Sequence, residues 1–337
     1  MPWVKWLSSW ILALPIFLAS MQAGASVADW ALFKERFVQP DGRVVDTGNA
    51  SVSHTEGQGI TMLLAERNED RATFDAVWLW TRSHLQVRDD KLLAWRWTVS
   101  EGVADKNNAT DGDLFVAWAL LRAHRRWSQP EHLAAAREIM QAIRLNAVRV
   151  TSRGMVLLPG VEGFAKPDGT VINLSYWVFP ALQAFAQADS SLEWKALQES
   201  GLQLLSEGRF GRWGLPADWT MLADKLTPAP EPRFGYDAVR IPLYVLWAQL
   251  ETQISLKPFQ DYWDYFKGAQ FLPPWTNLLD NSVDSYNASL GIRSIARVTL
   301  AYPKLSALVL PPLDVSQDYY SAVLLLLTKT ALAERSL

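Results

Sequence analysis

The chain has 337 residues, 49% hydrophobic and 20% charged, and its 35 acidic against 32 basic side chains give a formal net charge of −3 at pH 7. With no basic block and no glycine-rich phosphate loop, this balance excludes nucleic acid and nucleotides as natural partners. It has no cysteine, which removes disulfides, thiolate-bound metals and thiol-linked lipid anchors, and its four histidines (His54, His84, His124, His132) lack ligand spacing, so neither metal nor cofactor is expected.

The N-terminus, 1–25, reads as a secretory signal peptide. Lys5 is the sole charge ahead of an apolar run from Trp6 to Leu18, and Ala23-Gly24-Ala25 follows as a small-residue cleavage site. The run is short for a membrane span, which needs about 20 residues. Cleavage near Ala25, a periplasmic or secreted destination and no stable membrane insertion afterwards are therefore expected. The remaining chain, 26–337, keeps 35 acidic against 31 basic residues, since Lys5 leaves the 32, and 14 of the 17 tryptophans. A core can absorb most of those rings. The rest need a surface, and carbohydrate is a common one.

From there the periodicity is helical. Apolar residues at three- and four-residue spacing predict helices over 28–37, 59–67, 72–85, 114–127, 131–148, 176–188, 192–207, 238–254, 259–267, 287–298 and 318–332. Short extended pieces at 91–97 and 155–158 suggest small hairpins, and nothing suggests a parallel sheet. Three long loops stand out: 89–108 with Trp95 and Trp97, 151–173 rich in glycine and polar residues, and 209–235 with Trp213, Trp219 and four prolines. Long ordered loops in a compact domain are usually functional. Trp95 and Trp97, two apart, share a face if extended. No linker divides the chain, so a single domain over 26–337 is expected.

Three acidic stretches stand where helices begin: Ser-His-Thr-Glu-Gly-Gln-Gly around Glu56, Asn-Asn-Ala-Thr-Asp-Gly-Asp around Asp111 and Asp113, and Tyr-Asp-Ala-Val-Arg around Asp237. Each has a plain alternative. Ser53-x-x-Glu56 and Thr110-x-x-Asp113 match capping boxes, and Asp237 is placed to cap its own helix. Yet glycines after Glu56 suit a backbone lying close to a ligand better than a helix start, and Pro242 disturbs the turn after Asp237. Widely separated carboxylates in a tryptophan-rich chain point to a sugar-cleaving site, which needs one carboxylic acid and one carboxylate across a glycosidic bond. Helix N-termini favour negative charge, so Asp237 suits an ionised base, with Arg240 one turn on to keep it charged. An acid at Glu56 needs burial or a neighbouring carboxylate to oppose the dipole, and Asp111 is the candidate.

These residues resemble glycoside hydrolase family 8, formerly cellulase family D, and within it the periplasmic endoglucanases of bacterial cellulose-synthesis systems. The likeness rests on Thr-Glu-Gly-Gln-Gly at 55–59, Asn-Ala-Thr-Asp-Gly-Asp at 108–113, Asn-Leu-Ser-Tyr at 173–176, Tyr-Asp-Ala-Val-Arg at 236–240 and the tandem Tyr319 and Tyr320. The resemblance implies an all-α (α/α)6 barrel, six inner helices ringed by six outer ones, with small hairpins in the cleft loops. It also implies inverting hydrolysis of β-1,4-glycans, with Glu56 as general acid, Asp237 as general base and Asp111 gripping the sugar. Tyr176, Tyr236 and Arg240 match residues that shape that sugar and orient the base. Trp95, Trp97 and Trp213 offer stacking platforms. His54 and the stretch 261–284 depart from the family pattern. An inverting endo-β-1,4-glucanase associated with cellulose-synthase machinery is therefore expected. The alternatives are chitosan or xylan hydrolysis on the same fold, or a non-catalytic glycan-binding accessory of cellulose export.

Overall fold

The computed structural model describes residues 17–335, with side chains from residue 27 onward. The expected signal segment thus lies outside the described residues, save for the backbone of 17–25, which forms part of the first helix. Among the described residues there are eleven α-helices: α1 (Phe17–Phe37), α2 (Thr55–Arg67), α3 (Arg71–His84), α4 (Thr110–Trp127), α5 (Pro130–Ala142), α6 (Phe179–Ala188), α7 (Glu193–Glu207), α8 (Ile241–Trp247), α9 (Lys257–Tyr265), α10 (Leu290–Ala301) and α11 (Tyr319–Arg335).

Burial sorts these helices into two rings. α2, the first three turns of α4 and most of α11 are buried on nearly every side, as helices enclosed by other helices must be. With α6, α8 and α10 they close a ring: α2 packs on α4, α4 on α6, α6 on α8, α8 on α10, α10 on α11, and α11 back on α2. The amphipathic α1, α3, α5, α7 and α9 lie outside, against α11, α2, α4, α6 and α10. This is an (α/α)6 barrel. In the sixth outer place the chain between α10 and α11, 302–318, has no helix. It is tied to α1 instead, by the Leu313 N–H donating to Asp29 Oδ1 (2.8 Å) and by Arg36 donating to the Gln317 carbonyl.

The strands are few, short and antiparallel. β1 (Ser53–His54) pairs with β2 (Arg96–Trp97), and β3 (Val148–Thr151) forms a hairpin with β4 (Gly154–Leu157). β5 (Ala165–Lys166), β6 (Gly169–Ile172), β7 (Thr220–Leu222) and β8 (Leu226–Pro228) make one four-stranded sheet. β9 (Arg233–Phe234) pairs with β10 (Thr276–Asn277), so the 261–284 stretch ends by bracing the loop that carries Asp237. Two expected helices are cut short. The 238–254 run becomes a 3-10 turn, Ala238–Arg240, then seven residues of α8 with Pro242 in its first turn. The 131–148 run leaves the α-helix at Ala142 through a π turn and enters β3.

Close approach of α2 and α4 fixes the site end of the barrel, and two glycines permit it. A Cβ on Gly59 would lie 2.7 Å from both the Phe115 Cβ and the Val116 nitrogen, and one on Gly112 would lie 2.7 Å from the Glu56 nitrogen. The glycines beside the acidic residues therefore serve helix against helix, not backbone against ligand as expected from sequence. Gly59→Ala should destabilise the protein despite the roughly 1 kcal/mol that alanine gains over glycine in a helix, because overpacking two backbones costs about 1–3 kcal/mol. Urea denaturation decides: a raised midpoint would show that the two helices can part without loss.

Candidate active site

The inner helices begin at one end of the barrel, and the acidic residues sit there. β1 leads directly into α2, and the Thr55 N–H donates to the Trp95 carbonyl (3.1 Å), which lays Trp95 beside Glu56. The cap of α2 is His54, not Ser53: its Nδ1 accepts from the Gly57 N–H (3.0 Å), and its Nε2 lies 3.4 Å from Asp46 Oδ2. An accepting Nδ1 carries no proton, so the ring proton sits on Nε2 and faces Asp46. The second expected capping box is absent too. Asp113 takes the Leu93 N–H (2.9 Å) and the Asn108 Nδ2 (2.8 Å), pinning the loop before α4. Gln58, unremarked in the sequence, is fully buried and joins Val44, Gly42, Val77 and Thr81 across α2 and α3. Within Thr-Glu-Gly-Gln-Gly, then, Thr55 and Glu56 face the cleft while Gln58 ties the helix to its neighbours.

At the centre stands Arg240, 4% exposed. Its Nη1 donates to Glu56 Oε1, its Nη2 donates to Asp237 Oδ1 (2.7 Å) and to Ser175 Oγ (2.9 Å), and Asp111 Oδ2 lies 3.8 Å from Nη1. Three carboxylates, from the starts of α2, α4 and α8, so meet one guanidinium. Glu56 and Asp237 occupy its two ends, each side chain 26% exposed, against 4% for that of Asp111. Burial, and then the charge of Glu56, push the Asp111 carboxyl well above its ordinary range, outweighing Arg240 and the Gly112 N–H. Burial also pushes Asp237 up to about 6, aided by Asp218 and Glu56 and opposed by Arg240. This reverses the expectation from the helix end and Arg240, since desolvation outweighs both.

Glu56, Asp111 and Arg240 line a cavity of about 220 Å³ together with Trp95, Tyr176 and Tyr320, and Asp237 lies outside that lining, joined to it through Arg240. A larger recess of about 430 Å³ lies between α3 and α5, lined by Trp78, Arg82 and Glu138 among others, and holds none of the three carboxylates. The other sequence candidates fall outside the cavity lining. Trp97 stacks edge-on against Trp80 and His84. Trp213 sits among Tyr262, Tyr265 and Phe266. Tyr236 pairs its hydroxyl with that of Tyr286, and its carbonyl accepts from the Tyr320 hydroxyl. Two residues escaped the sequence reading. Trp219 stacks parallel to Phe164 (5.9 Å, 6°) and meets Tyr176 edge-on, and Asp218 accepts from three backbone amides around Asp237. Both lie in the 209–235 loop, which its length, tryptophans and prolines marked in the sequence without making either a site candidate.

The sequence model of glycosyl hydrolases family 8 matches residues 1–334. The chain belongs to this family. A relative named as a probable endoglucanase of Novacetimonas hansenii is 41% identical over 320 residues, covering 93% of this chain and 92% of the relative. An endoglucanase of Cellulomonas uda is 42% identical over 281 residues, 81% of this chain and 77% of that one. Among solved structures, the endo-β-1,4-glucanase CMCax of Acetobacter xylinum superposes with a TM-score of 0.87 at 41% identity, over 94% of this chain and all of that one. The chain is therefore a glycoside hydrolase.

Asp113 belongs to the same helix start but serves stability. Burial pushes its carboxyl up to about 7, so the folded protein keeps a proton that the unfolded chain releases from about pH 4 upward. That contribution is full below about pH 4 and is lost as pH rises to about 7. Asp113→Asn has no such proton to lose. It should flatten the difference in stability across that window, at a cost of about 1–3 kcal/mol from an amide facing Asn108 Nδ2. Urea midpoints of both proteins at either end of the window provide the measurement, and an unchanged pH slope would count against it.

Proposed function

We propose that this family 8 hydrolase is an inverting endo-β-1,4-glucanase acting on cellulose-type chains. The observation that carries the reading is the convergence of Glu56, Asp111 and Asp237 on the buried Arg240, beside the cavity that Trp95 and Tyr176 help to line. In this reading Glu56 gives its proton to the glycosidic oxygen as the bond to the anomeric carbon breaks. Asp237 takes a proton from a water that attacks that carbon from the opposite face. Asp111, buried behind them and inclined to keep its own proton, grips the sugar at the cleavage point. Tyr176 bounds that sugar, and Trp95 stacks on a neighbouring one. An inverting pair stands roughly 6.5–9.5 Å apart so that the water fits between. Arg240 pairs with Glu56 Oε1, so in this reading the proton that goes to the glycosidic oxygen is carried on Oε2.

Export to the periplasm or beyond, which rests on the N-terminal sequence, and association with a cellulose-synthesis apparatus, which rests on the family resemblance of the motifs at 55–59, 108–113 and 236–240, belong to the same proposal. Among the described residues no helix is long and apolar enough to cross a membrane.

Reducing-sugar release from carboxymethylcellulose, lichenan, xylan and chitosan tests the substrate. Glu56→Gln should retain glucan binding while turnover falls by about 10²–10⁴-fold, as for loss of a general acid. Near-normal turnover on an unactivated glucan would remove Glu56 from that role. Since Asp237 titrates near 6 and must be ionised to act, kcat/KM should fall as pH drops below about 6. Asp237→Asn should lose that acid limb along with most turnover.

Stereochemistry separates Asp237 as base from Asp237 as nucleophile. Water activated by a base gives the α-anomer first from a β-linked glucan, whereas a retaining pair about 5–5.5 Å apart passes through a covalent glycosyl intermediate. Proton NMR of the anomeric signals in the first minutes of hydrolysis should show α product, and an initial burst of β-anomer would contradict the assignment.

A further inference from the structure

We infer that Asp218 is the positioning residue of the base: a buried carboxylate, from earlier in the same α7–α8 connection, that caps the turn carrying Asp237 and so leaves the Asp237 carboxylate free for chemistry. The inference rests on the reading of Asp237 as the base.

The turn poses a definite problem. Ala238–Arg240 is a 3-10 turn whose capping position is Asp237 itself. An aspartate there ordinarily folds back to accept the first free N–H groups. That posture would bend the carboxylate onto its own backbone and away from the cleft. Asp237 makes no such bond, and its Oδ1 accepts from Arg240 Nη2 instead. The orphan donors are met from elsewhere. One oxygen of Asp218, Oδ1, accepts from the N–H groups of Gly235 (2.9 Å), Asp237 (3.2 Å) and Ala238 (2.8 Å). Its Oδ2 accepts from Arg233 Nε (2.9 Å). With 1% of its surface exposed, Asp218 has no solvent to offset its charge and relies on these four donors.

Asp218 is itself held in place. Its N–H donates to the Arg233 carbonyl (2.6 Å), so backbone and side chain join the same two residues in opposite senses. Arg233 begins β9, which pairs with β10. Two residues on, a Cβ at Gly235 would lie 2.8 Å from the Trp275 Cβ and 3.1 Å from Asp218 Oδ2, so the turn is packed tightly onto this frame. The charge matters as well as the geometry. A second carboxylate in the same water-poor region disfavours ionisation of Asp237, and Arg233 partly cancels it. Asp218 thus places the base and helps set where it titrates.

A purely structural carboxylate would affect folding and leave the titration of the base alone, which gives the test. Asp218→Asn, Arg233→Gln and Asp237→Asn are each compared with the unaltered protein for kcat, KM and the pH dependence of kcat/KM on carboxymethylcellulose, with circular dichroism to confirm the fold. Asp218→Asn should lower kcat by about 10–100-fold with KM little changed, the scale of a misplaced reacting group. Its acid limb should move to lower pH by about half a unit or more, because a neighbouring negative charge is gone. Arg233→Gln keeps Asp218 but removes its partner, and should move the limb the other way. It also carries the test if Asp218→Asn does not fold. A limb that is lost in Asp237→Asn yet unmoved in the other two variants overturns the role of Asp218 alone. A limb that persists in Asp237→Asn overturns the base itself.

Discussion

One buried positive charge organises the open end of this barrel. A guanidinium out of water is tolerable where its donors are taken up by anions or other acceptors, and Arg240 meets Glu56, Asp237 and Ser175 directly, with Asp111 close behind. Each carboxylate arrives at or just before the beginning of an inner helix, where the helix dipole favours negative charge. The ring architecture and the charge cluster are therefore one arrangement. Inner helices that start together present their positive ends together, and that common end is where an excess of carboxylates can be kept.

The opposite end shows what the same ring does without a reaction to support. There Glu66 of α2 accepts from Arg122 and Arg126 of α4, Arg122 reaches on to Glu334 of α11, and Trp247 of α8 donates to Glu334 as well. Arg126 also pairs with Glu69, and Arg67 stands 3.9 Å from Glu334. Three glutamates face three arginines, and the charges balance. At the cleft end three carboxylates share one arginine. Burial and crowding there push the carboxyls of Asp111 and Asp237 up, and an environment that shifts carboxyl groups is one that can divide acid and base roles. Asp111, with least access to water, holds its proton most firmly, while Asp237 keeps a path to solvent and titrates within the working range.

How much of this was legible depends on the distance over which each choice is made. Helix periodicity is local, and the inner and outer helices were readable from it. It failed where tertiary structure took over: at Pro242, which starts α8 instead of sitting inside a longer helix, and at Ala142, where the chain leaves its helix to enter a hairpin. The three carboxylates could be picked out because each stands in a compact motif. Their meeting could not be derived from spacing, since Glu56 and Arg240 lie 184 positions apart. Capping was misread for a related reason. Ser53, Thr110 and Asp237 have the right chemistry to cap their own helices, but His54 caps α2, and Asp218, from earlier in the same connection, serves the turn after Asp237. Local rules name a donor's need and leave open which part of the chain meets it.

Tryptophan content shows the same limit from the other side. Of the fourteen beyond residue 25, eight are buried (Trp30, Trp78, Trp80, Trp118, Trp177, Trp194, Trp247 and Trp263), so most of the excess is barrel packing and is no measure of a glycan surface. What brings Trp95 to the cavity is not its exposure but its strand partner. The two-residue ladder of β1 and β2, extended by the Thr55 N–H to Trp95 carbonyl bond, ties the chain just before Glu56 to the loop that carries the ring. Trp97, two residues on, is held by the same ladder yet ends against Trp80 and His84 of α3. Alternation along a strand gives two residues a common direction only while the strand stays flat, and this one is two residues long. A ring's use is decided by what its backbone is bonded to, and at Trp95 that is the residue just before Glu56.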